Sequence, residues 1–479
     1  MSKTRRIVIV VGILGLGILF LTLAGHRSQS RQRLQKYKAE LRAKGEKLTF
    51  KELTAGQLPN TNQFAFIVTN AVAKLGQQRL VPGTLELRKA VTPGRAVVAW
   101  KLDQPPWGTA AKSGWEDFTR EIEGLKEPLE QIRKAAEDPP AGSGPITNLF
   151  GKPAISFVAL RIASQWLMGA AICELHEGRK EEALKNLEAL AGMAQVNRAD
   201  YFLVSQMIRI AITGLGTSTT WEALAADGWT DAQLERLQMA WERVPLIEGL
   251  AKGMLGERAV GGDLWIMLHD PARSGKWHEV VGVSYTHGLG SFAADHVFLP
   301  IYKFTSIDED EFFHLSTMQE AVEAVRKLER RQPRADVKKQ LDQFGAKIST
   351  IFGNPVSRFR YLFSAISIPN FSRAVETALR NETDRQMLLT AIAIKRYELR
   401  HGRVPVDIEA LAPAILTVIP YDPMSGKALG YRQNGDGGFV LYSVGEDGKD
   451  DGGSATPLAS TNKFGLWETK DAVWPMPAN

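Results

Sequence analysis

The sequence predicts a predominantly α-helical α+β protein, and three observations carry that prediction. Residues 7–25 form an apolar run of about nineteen residues with no charged side chain, long enough to span a bilayer. Residues 150–260 place apolar side chains at helical spacing almost without interruption. Near the C-terminus, a helical stretch ending at Gly402 leads to two strand-like runs, ALGYR and GFVLYS, on either side of Asn-Gly-Asp-Gly-Gly, a strong hairpin signal. At 479 residues the chain has room for about two to four domains and a sizeable core.

The apolar run is preceded by Lys3, Arg5 and Arg6 and followed by Arg27, Arg31, Arg33, Lys36 and Lys38. It reads as an uncleaved signal-anchor, because it is longer than a usual signal-peptide core; Thr22-Leu23-Ala24 is the alternative cleavage site. Both flanks are positive, so charge alone does not orient the span. The division expected from the sequence is an anchor over 1–27, a charged stalk over 28–50, a small mixed region over 51–140, a helical region over 150–365 and a C-terminal domain over 366–479. The net charge of +6 is modest and concentrated near the N-terminus, which points to membrane flanks rather than to nucleic acid. The single cysteine, Cys173, lies in an apolar helical context. One cysteine excludes an internal disulfide framework and any CxxC motif.

In the mixed region, NQFAFIVTNAVAKL reads as a helix. LELRKA and AVVAWKL read as strands about Thr92-Pro93-Gly94, and residues 114–137 read as one further helix. Trp100, Trp107 and Trp115 are close enough in sequence to pack a small core or to line a groove. Residues 137–145 (EDPPAGSGP) are a loop and a boundary. Beyond it, residues 155–195 form a helical hairpin turning at Gly178, and Thr230 is placed to cap the helix from Asp231. Glu257 and Arg258 are expected as a charged pair at a helix end. VFLPIYKF (297–304) is either buried or dips into a membrane interface, and Asp308–Phe312 is an acidic helix start. A charged helix pair broken at Pro333 follows. In the C-terminal helix, Leu388, Ala391, Ile392 and Leu399 fall on one apolar face. After Gly453 a polar tail carries two tryptophans that pack back on the body.

Motifs for nucleophilic, dinucleotide or phosphate chemistry (GxSxG, GxGxxG after a strand, GxxxxGK[ST]) do not occur. Four histidines, His269, His278, His287 and His296, recur at nine-residue intervals beside Asp270, Glu279 and Asp295. A metal-dependent hydrolase built on this segment is therefore one alternative, although there is no HExxH and the spacing does not fit one helical face. Near the C-terminus Asp447, Asp450 and Asp451 crowd a glycine-rich loop. Carboxylates so placed repel unless they share a hard cation such as calcium.

Two stretches resemble known families. The 155–195 hairpin, with Gly178 at its turn and Ala183-Leu184 opening its second helix, resembles a tetratricopeptide unit, although no thirty-four-residue repeat follows; a helical peptide-binding scaffold is the function this implies. Residues 383–453 resemble the globular half of the major pseudopilin of type II secretion systems. The resemblance is carried by Tyr397, Gly402, Arg403 and Pro405; then Pro420, Asp422, Pro423, Gly426 and Tyr431; then Leu441, Tyr442, Ser443, Gly445, Asp447 and Gly448, three clusters in the family's order. It implies a long helix packed on a small antiparallel sheet, and a calcium ion at the loop holding Asp447, Asp450 and Asp451. The N-terminus departs from the family: no glutamate stands five residues into the apolar helix, and most of the chain separates that helix from the matching domain. The expected protein is a bacterial inner-membrane, single-pass envelope component with its bulk in the periplasm. Its expected role is non-catalytic assembly or protein–protein interaction, linked to a secretion or pilus-like system.

Overall fold

The structure, a computed structural model, describes residues 3–56, 63–75, 87–106, 114–142, 155–270, 272, 294–368, 371–435, 437–458 and 464–478. Most of the described chain is helical, with two small three-stranded sheets. Helix α1 (Lys3–Ala43) runs unbroken through 41 residues that contain no proline. Its first half exposes Ile13, Leu14, Ile18, Phe20 and Leu21, while Tyr37 and Leu41 pack on Leu48 and Leu315. A short α2 (Phe50–Leu53) follows, capped by Thr49, whose hydroxyl accepts from Glu52 N at 3.2 Å.

In the mixed region α3 (Phe64–Leu75) buries Phe64, Val68, Ala71 and Leu75, one stripe at helical spacing. Strands β1 (Ala90–Thr92) and β2 (Arg95–Ala96) pair antiparallel about Pro93-Gly94. The second strand is shorter than the sequence suggests. The chain turns into a 3-10 turn at Ala99–Lys101, which lets Trp100 Nε1 donate to the Glu222 carbonyl at 2.9 Å. The single helix expected over 114–137 is two, α4 (Trp115–Gly124) and α5 (Lys126–Glu137). Gly124 and Pro128 account for the break, since proline suits a helix's first turn and not its interior. Trp115 stacks on His176 at 4.0 Å and its indole donates to Leu102 O, so Trp100 and Trp115 belong to packing; Trp107 lies outside the described residues.

Helices α6 (Phe157–His176) and α7 (Lys180–Gln195) form the predicted hairpin. Helix α6 is long and apolar enough to cross a membrane, but most of it is buried inside the fold. Helix α8 (Leu203–Leu224) lies across both, and α9 (Asp231–Glu242) opens with a reciprocal Thr230–Gln233 capping box. Helix α10 (Ile247–His269) is continuous, which corrects the expected helix end at Glu257-Arg258. Arg258 is mid-helix, fully buried, and pairs with Glu46 rather than with its neighbour. Helices α11 (Leu299–Thr305), α12 (Ile307–Glu329), α13 (Arg334–Gly353), α14 (Pro355–Arg360) and α15 (Leu362–Ser367) follow, with the predicted break at Pro333.

Helix α16 (Ser372–His401) is the spine of the molecule. It packs on α8, α9, α10 and the sheet strand β4 (Phe439–Ser443), and it is buried nearly all round through its middle. Burying Leu388 or Ile392 stabilises the fold by about 1.5–3 kcal/mol each. Leu399, expected on the same face, is exposed, although Arg396 and Arg400 on either side of it pair with Asp231 of α9. Gly402, at φ +70, closes the helix, donating its N–H to Glu398 O at 2.7 Å. Strand β3 (Gly430–Gln433) and β4 form the predicted hairpin, in register Gly430↔Tyr442 through Gln433↔Phe439.

The C-terminal tail is structural. Strand β5 (Ala472–Val473) joins β4 antiparallel, and β6 (Met476–Pro477) pairs parallel with β2. Trp474 is buried and Trp467 is half-buried, as expected of the two tail tryptophans. One continuous apolar core runs from Phe64 to Trp474, drawing residues from every region after the stalk.

Candidate functional site

The second and third motif clusters near the C-terminus meet in space at Asp422. This carboxylate is buried, and it accepts from Met424 N at 2.9 Å, Ser425 Oγ at 3.1 Å, Ser443 Oγ at 2.7 Å and Val444 N at 3.2 Å. Burial pushes the Asp422 carboxyl up, and those donors oppose the shift. The same loop closes with Gly426 N on Asp422 O and Asp422 N on Lys427 O. Tyr431 donates to Pro405 O at 2.6 Å, joining the second cluster to the first, where Tyr397 packs against His401. Gly426, at φ +74, lies so close to the α12–α13 turn that an added Cβ would sit 2.1 Å from Arg331 O.

Arg334, at the start of α13, fastens that turn to the C-terminal lobe. Its backbone N–H donates to Met424 O, its guanidinium forks onto Glu376 at 2.8 and 2.9 Å, and it reaches Glu446 O. Arg380 pairs with Glu446 at 2.6 Å and lies over the Trp467 ring.

The loop carrying Asp447, Asp450 and Asp451 is organised by a residue that sequence reasoning missed. Asp471, fully buried, accepts from the backbone N–H groups of Asp451 (3.3 Å), Gly453 (2.9 Å) and Ser454 (2.8 Å). The predicted residues face separate partners. Asp447 accepts from Lys449 N, Asp450 from the Tyr442 hydroxyl and Gly452 N, and Asp451 pairs with Lys470 at 3.2 Å. Among the described residues no group of three or more His, Cys, Asp or Glu side chains is placed to hold a metal ion. Each of the three carboxylates thus has a partner of its own within the protein. The signal for Asp471 was thin: one aspartate in a polar tail, eighteen residues beyond the Gly453 amide that it binds.

The histidine-rich segment lies only in part within the described residues. His269 lies 2.9 Å from Glu311, and His296 is on a π-helical turn, Ala294–Phe298. His278 and His287 lie outside the described residues. The acidic helix start expected at Asp308 opens α12 as read, and it is also a buried ionic hub. Asp310 accepts from Tyr302 OH at 2.5 Å, Phe363 N at 2.9 Å, Ser364 N at 3.2 Å and the Ser364 hydroxyl, and burial raises its carboxyl to about 7. Glu309 takes His26 at 3.2 Å and Arg360, Glu311 pairs with Lys38, and Asp308 faces Arg27 at 3.9 Å. Four consecutive acids thus grip α1 and the α14–α15 segment. A little further along, Glu46 lies between Arg258 and Arg326. Burial opposes its charge, but the two guanidiniums overcome that and hold it down to about 2.

A cleft of about 450 Å³ between α5, α7 and α9 is lined by Arg133, Lys185, Glu188, Arg236 and Arg243. Arg133 pairs there with Glu130 and Glu182, and Arg236 with Glu181 and Glu188, so these walls largely satisfy each other. Cys173 is buried, and burial lifts its thiol to about 11, which makes it a packing residue. No family model, curated protein or solved structure matches this chain.

Proposed function

We propose that this chain is a single-pass, inner-membrane-anchored envelope protein with a non-catalytic role in assembly or protein–protein interaction. In this reading α1 carries the anchor, the helical body is periplasmic, and the lobe around α16 presents a pseudopilin-like face to a secretion or pilus-like system. The observation that carries the reading is the joining of the resemblance's clusters by Asp422–Ser443 and Tyr431–Pro405. Residues matched as separate motifs work as one hydrogen-bonded unit, which is what a shared local fold requires and chance similarity does not. The exposed apolar side chains of α1 between Ile13 and Leu21 support the anchor, since a water-facing helix would not leave them uncovered. Calcium enters this reading only if Lys470 and Tyr442 give up Asp451 and Asp450 to an ion.

The test is made on the full chain in a bacterial envelope. A photo-crosslinking residue at exposed Arg432 or Lys449 is expected to trap type II secretion or pilus-like components, and the chain is expected to resist an alkaline wash of the membranes. Release by the wash removes the anchor. Crosslinks confined to unrelated proteins remove the secretion link.

A further inference from the structure

A second, small apolar core sits apart from the main one, at the end of the helical body where α1 emerges. Leu264, Trp265 and Leu268 of α10 meet Leu299 and Tyr302 of α11 and Phe363 of α15 there. Helix α11 closes this end of the bundle, and its two faces differ. Leu299 and Tyr302, three residues apart, are buried, whereas Val297, just before the helix, and Ile301 are 54 % and 50 % exposed.

The position of α11 along α1 is fixed by ring and ion contacts. Phe304 stacks on Phe20, inside the apolar run, with centroids 5.5 Å apart. Arg27 lies over the same ring at 5.3 Å, and beyond it His26 and Arg360 gather on Glu309. The apolar-to-polar boundary of α1 therefore coincides with the boundary between α11 and α12. Below it are aromatic and aliphatic side chains; above it are paired charges. Lys303, on the stretch between them, has its ammonium pushed down by burial, with Asp270 opposing.

From this we infer that α11 is an interfacial helix, lying with Val297 and Ile301 in the acyl–headgroup zone of the same bilayer that α1 crosses. The occupant of this exposed face is lipid. Continuity with the α1 span argues for it, because Phe20 and Phe304 are one stack and cannot occupy different phases. Amphipathic helices with one apolar face and a basic residue at the rim lie in this zone. The consequence is that the body is held at a fixed height and orientation against the membrane, rather than swinging on a flexible stalk. The inference rests on the anchor proposed above.

The experiment places one nitroxide per molecule on the full chain, at Ile301→Cys, Val297→Cys, Ile18→Cys or Lys449→Cys. The protein is reconstituted into phosphatidylethanolamine–phosphatidylglycerol vesicles, and collision with oxygen and with a water-soluble nickel chelate is measured. Buried Cys173 stays unlabelled. The expected result is an oxygen-to-nickel accessibility ratio at 301 and 297 several-fold above that at 449 and below that at 18. Nickel access at both 301 and 297 with an oxygen-rich environment at 18 overturns the inference and leaves the anchor standing. Nickel access at 18 as well overturns the anchor and the inference together. Shielding of 301 and 297 from both reagents means that protein covers the face, which overturns the assignment to lipid.

Discussion

The hydroxyl of Ser443 donates a 2.7 Å hydrogen bond to Oδ1 of Asp422, across 21 residues of sequence. Both atoms are buried, and the same carboxylate also takes the N–H groups of Met424 and Val444. One side chain therefore fixes a turn, the end of a strand and the distance between them. Buried donors of this kind are costly to leave unpaired, so the group acts as an all-or-none latch.

Replacing Asp422 with alanine is expected to lower the stability of the full-length chain by about 2–4 kcal/mol, since it orphans several buried donors at once. Urea unfolding in detergent reads the loss. Limited proteolysis should then cut within 420–448 first, while α6 to α8 stay protected. A loss under about 1 kcal/mol would show that the loop holds without its latch.

Gly426→Ala tests the contact between this loop and the α12–α13 turn. The residue has φ +74, and an added Cβ meets Arg331 O at 2.1 Å. Strain and overlap together should cost about 2–4 kcal/mol. Because the obstacle is backbone, no side-chain rotation relieves it. Gly448→Ala is the control: its φ of +71 is similar, but nothing lies within 4 Å, so it should cost only about 1 kcal/mol.

How much of this was legible depended on whether the signal was local. Helix periods, the Thr230 cap, the Gly402 stop and the Asn434–Gly438 hairpin are written within a few residues and appear as read. The break at Leu125 was also written, in Gly124 and Pro128, but the amphipathic pattern on both sides hid it. Partners distant in sequence were not legible. Nothing near Arg258 points to Glu46, 212 residues away, and nothing in the tail shows that Asp471 would brace the aspartate loop. The acids from Asp308 read as a helix start, which says nothing of distant partners. Here each of Asp308, Glu309, Asp310 and Glu311 faces a partner from another element.

Asp471→Ala should loosen the loop at 447–454 by about 1–3 kcal/mol, because three backbone N–H groups lose their acceptor. The Tm of the native chain should be the same in calcium and in chelator. A Tm raised by calcium, and returned to its starting value by Asp447→Ala, would establish an ion-bound loop in which Asp450 and Asp451 have left Tyr442 and Lys470.

Glu222 gives a pH dependence with a definite sign. It is fully buried beside Ala99 N, at 2.8 Å, and burial raises its carboxyl from the ordinary 4.5 to about 8. Between those values the folded chain holds a proton that the unfolded chain has released. Stability therefore falls as pH rises through this window, by up to about 1.4 kcal/mol per pH unit from this group. Glu222→Gln mimics the protonated form, so stability at pH 5 should change by less than about 1 kcal/mol and the downward slope from Glu222 should vanish. Chemical denaturation of both proteins from pH 5 to 8 decides it. Identical slopes would mean that Glu222 is ionised in the folded protein.

Arg258→Ala should be the most damaging of these changes. The guanidinium is fully buried, donates to Glu46 at 2.9 Å and to Lys47 O at 2.8 Å, and lies against Gln319. Its removal leaves a carboxylate and a carbonyl short of donors and opens a cavity between α10 and α12, a combination that costs about 3–5 kcal/mol. Arg326 still faces Glu46, so the carboxylate is left half-neutralised rather than bare. Since Glu46 sits far below its ordinary value in the native protein, its share of stability is present above about pH 4.5 and is lost as pH falls toward 2. Acid unfolding of Arg258→Ala should accordingly begin at higher pH than that of the native chain. If the variant keeps the native acid midpoint, Arg326 alone holds Glu46, and the corner between α1 and α2 does not depend on Arg258.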